Sequence, residues 1–76
     1  MFETTPNPNA LKITLEHKLE VGADYFEIQE SNPDLINELL RIKGITSIFI
    51  GPSFLTVLKK HEYAWKDIET RLEELL

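Results

Sequence analysis

Few residues in this chain could do chemistry. His17 and His61 form no His-x-x-x-His or related metal-binding spacing, and both fall in stretches that read as loops. A metal site needs further ligands held in place by supporting hydrogen bonds, and solvated loops account for both histidines. Ser31 sits in a helix-capping context and Ser53 in a turn, so neither occupies a nucleophile elbow. Carboxylates are plentiful, but paired acids become catalytic when burial drives their proton affinities apart. None here falls on an expected apolar face. The three glycines are too scattered to cradle a phosphate. There is no cysteine, hence no disulfide, thiol nucleophile, thiolate metal site or thiolate-held iron–sulfur cluster. A chain of 76 residues also has little volume for both a core and a pocket of ~300 Å³. An enzyme is not expected, and no cofactor or metal is.

What remains is the stretch Thr5 to Leu15, TPNPNALKITL. Pro6 and Pro8 fix two backbone angles and restrain Thr5 and Asn7 to extended conformations. Asn7 and Asn9 can bond nearby backbone groups and so stabilise turns. The product is a stiff, polar, pre-shaped entry to a strand. On one reading it pins the N-terminus and blunts an exposed sheet edge. On the other it is a recognition surface that loses little entropy on binding. A rival of another class is a small-molecule binder or small enzyme with Asn7, Asn9 and His61 at its site. A convergent polar pocket would favour that rival, and a flat polar surface the interaction domain.

Thirteen acids against eight bases give a net charge of −5. Nucleic-acid binding draws most of its affinity from neutralised phosphates, so this balance opposes it. A basic membrane-surface helix is equally absent. No apolar run approaches the ~20 residues that span a bilayer. Met1-Phe2-Glu3 lacks the basic start and apolar run of a secretory signal. The expectation is a soluble, cytoplasmic monomer that binds neither nucleic acid nor membrane.

The elements that must position the opening stretch follow from periodicity. Leu11, Ile13 and Leu15 alternate with Lys12, Thr14 and Glu16, a half-buried strand. After turn material at Val21 to Asp24, Phe26 and Ile28 alternate against Tyr25, Glu27 and Gln29 in a second strand. SNPDLINELLRIKG predicts a helix. Asn32 can cap it with Pro33 at the first helical position, or Ser31 and Asp34 can form a capping-box-like pair. Leu35, Ile36, Leu39, Leu40 and Ile42 make its apolar stripe, Asn37, Glu38 and Arg41 face water, and Gly44 ends it. Ile45 to Ile50 and the run from Phe54 flank a Gly51-Pro52-Ser53 turn and read as deeply buried strands. A second amphipathic helix carries Trp65, Ile68, Leu72, Leu75 and Leu76 inward, with Trp65 assigned to the core. The prediction is an α+β, two-layer domain over residues 1–76, in which a four-stranded sheet carries two helices on one face in the order ββαββα.

These residues resemble a known family. TPNPNALKITL is similar to the signature opening the N-terminal domain of the Nfu/NifU-like scaffold proteins, approximately Thr-Pro-Asn-Pro-Asn-x-Leu-Lys-Phe. LINELLRIKGITSIFIGPSFLTVLKK resembles the family's helix followed by Gly-Val-x-x-Val-Phe and an Asp-Phe-Ile-x-Val strand, and YAWKDIETRLEELL its closing helix. The match covers essentially the whole chain. Thr5, Pro6, Asn7, Pro8, Asn9 and Lys12 coincide with the signature; Ile13 replaces the usual Phe, and Pro52-Ser53 stands where the family often has an acid. In longer members a second domain binds an iron–sulfur cluster through Cys-x-x-Cys and delivers it to target proteins. This chain looks like a stand-alone form without that domain. The resemblance implies a non-catalytic, accessory interaction domain with protein partners, in iron–sulfur cluster assembly or delivery, the six matched residues being its contact site. A third reading is cluster binding across a dimer through non-cysteine ligands.

Overall fold

A computed structural model describes residues 2–76. Seven elements follow in order: β1 (Phe2–Thr4), β2 (Ala10–Thr14), β3 (Asp24–Tyr25), α1 (Asp34–Leu40), β4 (Ile45–Gly51), β5 (Phe54–Lys59) and α2 (Trp65–Leu75). The strands form one antiparallel sheet in the order β1-β2-β5-β4-β3. β5, the central strand, and β4 beside it carry apolar residues on both faces, as their sequence requires.

Register decides which face is covered. Phe2, Ile13, Leu55 and Ile50 stand in one cross-strand row, and Leu11, Val57, Ile48 and Tyr25 in the next. Six of these eight are buried. They meet Ile36 and Leu39 of α1 and Ile68 and Leu72 of α2 in a single cluster. The β-branched Ile13, Ile48, Ile50 and Val57 suit strands because their stiff side chains pack on a pleated surface without losing much rotamer freedom. The opposite face is uncovered and carries Lys12, Thr56 and Phe49 in one row, with Phe54 and Leu58 flanking. There the Lys12 Nζ lies 4.8 Å from the centroid of the Phe54 ring, a cation–π contact.

The sequence expectation of four strands misses β1. Only Phe2 is apolar among its three residues, too few for a period, but Phe2 opposite Ile13 adds an apolar side chain to the covered face. The expected second strand also differs, because β3 is two residues long and Phe26 and Ile28 point to solvent. Side-chain amides end it. Asn37 donates from Nδ2 to the Gln29 carbonyl at 2.8 Å, its Oδ1 accepts the Gln29 N–H at 3.3 Å, and Asn32 Nδ2 donates to the Glu27 carbonyl at 2.8 Å. The backbone of this segment is thus turned toward α1 and away from the ladder. Asn37, expected to face water, is half-buried by this task.

Helix ends also move. Pro33 is the N-cap of α1, and neither Asn32 nor Ser31 supplies a side-chain cap. The helix stops at Leu40 with Arg41 as C-cap, so Gly44 does not end it. Gly44 instead leads into β4 with φ +100°, and a Cβ there would lie 2.8 Å from Cγ of Tyr63. At the β4–β5 hairpin, Phe54 lays its ring over Gly51, where any Cβ would collide with it. Ser53 in the same turn takes φ +58°, a conformation that costs an L-residue energy.

Candidate protein-interaction site

The stretch Thr5–Asn9 is the loop of the β1–β2 hairpin, so it joins two strands instead of leading into one. Its shape is fixed from within. The Thr5 hydroxyl donates to the Asn7 carbonyl at 2.8 Å, with the Ala10 carbonyl at 3.1 Å, and accepts the Asn7 N–H at 3.2 Å. Asn7 Oδ1 accepts the Asn9 N–H at 2.9 Å, an Asx-turn, and the Ala10 N–H closes the turn onto the Asn7 carbonyl at 3.0 Å.

The loop is also fixed from outside. The Lys59 N–H donates to the Asn9 carbonyl at 2.9 Å, and the Lys59 ammonium to Asn9 Oδ1 at 3.0 Å. The indole N–H of Trp65 donates to the Pro8 carbonyl at 2.9 Å. Lys59 Nζ stands 5.7 Å from the centroid of the Trp65 ring, so cation, indole and loop form one connected group. Trp65 is consequently half-buried at the margin of the core. It is not wholly a core residue: its ring packs inward and its N–H holds the loop.

Of the six signature residues, five form this loop. Pro6, Asn7 and Pro8 are exposed, whereas Thr5 and Asn9 are half-buried by their internal bonds. Lys12 lies apart on the uncovered sheet face, opposite Glu3 and Thr56. The loop therefore presents a proline-stiffened ridge, and the side-chain oxygens of Asn7 and Asn9 serve the fold. That is a poor arrangement for a convergent polar pocket around Asn7, Asn9 and His61. His61 is exposed in the β5–α2 connection. His17, expected in a solvated loop, is a latch: its Nδ1 accepts the Leu19 N–H at 3.1 Å, which leaves Nε2 as donor to the Gly51 carbonyl at 2.8 Å. Both ring nitrogens are committed. Among the described residues no group of three or more His, Asp and Glu side chains could hold a metal ion. No helix among them is long and apolar enough to cross a membrane.

Sequence reasoning could find the loop because proline announces rigidity. It could not find Lys59 and Trp65 as its anchors, since neither type carries a signal for a partner so remote in sequence.

The family model for the scaffold protein Nfu/NifU N-terminal domain matches residues 1–76. The chain belongs to the Nfu/NifU N-terminal family. Conserved virulence factor C of Staphylococcus aureus strain MRSA252 is 43% identical over 69 residues, covering 88% of this chain and 18% of that protein. Its counterpart in Staphylococcus saprophyticus is 39% identical over 66 residues, 84% of this chain and again 18% of the relative. The chain thus spans under a fifth of the length of these curated relatives. Among solved structures, the crystal structure of SAV1430 from S. aureus superposes with a TM-score of 0.88 at 31% identity, over 99% of this chain and 93% of that one. SeR13 from Staphylococcus epidermidis gives 0.68 at 29% identity, over 97% and 88%. The α+β fold described above is accordingly one that this chain shares with those staphylococcal proteins.

Proposed function

We propose that this chain is a non-catalytic protein-interaction domain serving iron–sulfur cluster assembly or delivery, and that the Thr5–Asn9 ridge with Lys12 is its contact surface. Family membership supports the link to iron–sulfur chemistry. The observation that carries the contact surface is the double anchoring of an exposed loop: Trp65 to Pro8 and Lys59 to Asn9. A ridge already ordered gives up little conformational freedom when a partner docks, so more of the contact energy appears as affinity. With no cysteine among these 76 residues, any thiolate ligand of a cluster handled in the complex comes from outside them.

The test is affinity capture from the native cell, comparing the wild-type chain with Pro6→Ala/Asn7→Ala and with Lys12→Ala, each checked by thermal denaturation. Loss of specific captured proteins by folded variants, with iron–sulfur proteins or their apo-forms among those lost, is the expected outcome. Undiminished capture by a folded Pro6→Ala/Asn7→Ala variant rules the ridge out. Capture that depends on the ridge but contains no iron–sulfur protein removes the assembly role and leaves the interaction surface.

A further inference from the structure

Val21, Phe26 and Ile28 are 56%, 68% and 48% exposed, the large hydrophobic side chains that the described residues leave most open to water. All three flank β3, the last strand of the sheet, at the edge opposite the β1–β2 hairpin. Among the described residues no further strand pairs beyond β3, so its two residues leave a short open edge beside which an extended segment can lie. Phe26 and Ile28 occupy alternate positions, and the segment between β3 and α1 is held by the bonds from Asn37 and Asn32 to Gln29 and Glu27. The two apolar side chains are therefore displayed on a fixed backbone. Beside them is a depression of about 250 Å³, lined by Asp24, Tyr25, Phe26, Glu27, Gln29 and Asn32.

The charge along the segment that carries this patch has one sign. From Glu20 to Leu40 the chain contains Glu20, Asp24, Glu27, Glu30, Asp34 and Glu38 and not one lysine, arginine or histidine. All six acids are exposed, and Glu38 is paired with Arg41 at 2.8 Å. Apolar side chains rimmed by acids at an open sheet edge define the complement. We infer that the β3 edge is a second docking surface, separate from the opening loop, for an extended protein segment in which lysine or arginine alternates with apolar residues. The apolar residues cover Phe26 and Ile28, and the cations meet Asp24 and Glu27. A second copy docking through the same patch opposes acid to acid. An anionic lipid surface and a nucleic acid meet the same repulsion.

The probe is a short synthetic peptide in which lysine alternates with valine and leucine. Two controls accompany it, one with glutamate for every lysine and one with serine for every apolar residue. Amide chemical shifts of the isotopically labelled chain are followed during titration. The expected result is perturbation centred on Val21–Asn32 with the basic–apolar peptide alone, weakening as salt is raised. Phe26→Ser and Ile28→Ser, at exposed positions, keep the wild-type melting midpoint and weaken binding about tenfold or more. Perturbation centred on Thr5–Asn9 or the uncovered sheet face, equal binding of either control, or unchanged affinity in Phe26→Ser overturns the assignment. So does a concentration-dependent dimer in sedimentation that Phe26→Ser abolishes, because the occupant is then a second copy.

Discussion

The indole N–H of Trp65 donates to the carbonyl oxygen of Pro8 at 2.9 Å, across 57 positions of sequence. One hydrogen bond thereby ties the first helical residue of α2 to the tip of the first hairpin. Trp65→Phe keeps most of the ring's packing and removes the donor, so it should cost ~1 kcal/mol, the net value of such a bond. Trp65→Ala also removes the packing and should cost ~3 kcal/mol, the low end for a large aromatic because this one is half-buried. Urea denaturation followed by circular dichroism separates the two. Equal losses would mean that the bond, not the ring, carries the stability.

Ser53→Gly should stabilise the domain. Serine at φ +58° carries a left-handed penalty of ~1–2 kcal/mol, which glycine lacks. Glycine's freer unfolded chain takes back ~0.4–1 kcal/mol of that. A net gain of ~0.5–1 kcal/mol in the unfolding free energy from urea denaturation is expected; a loss would show that the Ser53 side chain contributes a bond the turn depends on.

Gly44→Ala should do the reverse. Left-handed strain is joined here by contact of the new methyl group with the Tyr63 ring at 2.8 Å. The expected loss is ~2–4 kcal/mol, from backbone strain plus overpacking. Pairing it with Tyr63→Ala tests the cause, since removing the ring should return part of the loss from the contact and none from the strain.

Anaerobic incubation with iron and sulfide should leave the purified chain colourless. Thiolates hold iron–sulfur clusters in most proteins, and this chain has none. A stable visible absorption band with stoichiometric iron would point to a ligand set built from His61 and carboxylates, because both nitrogens of His17 are already engaged.

What could be read from sequence was whatever repeats at short range. Ile13, Ile48, Ile50 and Val57 alternate in their strands and Ile36, Leu39, Ile68 and Leu72 recur at helical spacing, and all are buried. The short period of Phe26 and Ile28 looked the same and misled. It is overridden by Asn37, eight positions beyond Gln29, whose amide draws the backbone off the ladder. Polar side chains leave no periodic mark of such a task. β1 escaped because three residues contain no period at all. In the candidate site the stiffness of Pro6 and Pro8 was legible, whereas the identity of what holds them was a property of the folded chain. Asn9 and Lys59 meet only because β2 and β5 are neighbours.

That neighbourhood has a consequence for synthesis. β2 lies between β1 and β5, and β5 is the last strand made. Until β5 has emerged, the first hairpin has a bare β2 edge and an apolar face with nothing to cover it. Pairings of this separation close late and slowly. The nascent domain can seal only after Lys59 and then Trp65 have left the exit tunnel. Until that moment its exposed β2 edge is a substrate for chaperones and for mispairing with neighbouring nascent chains.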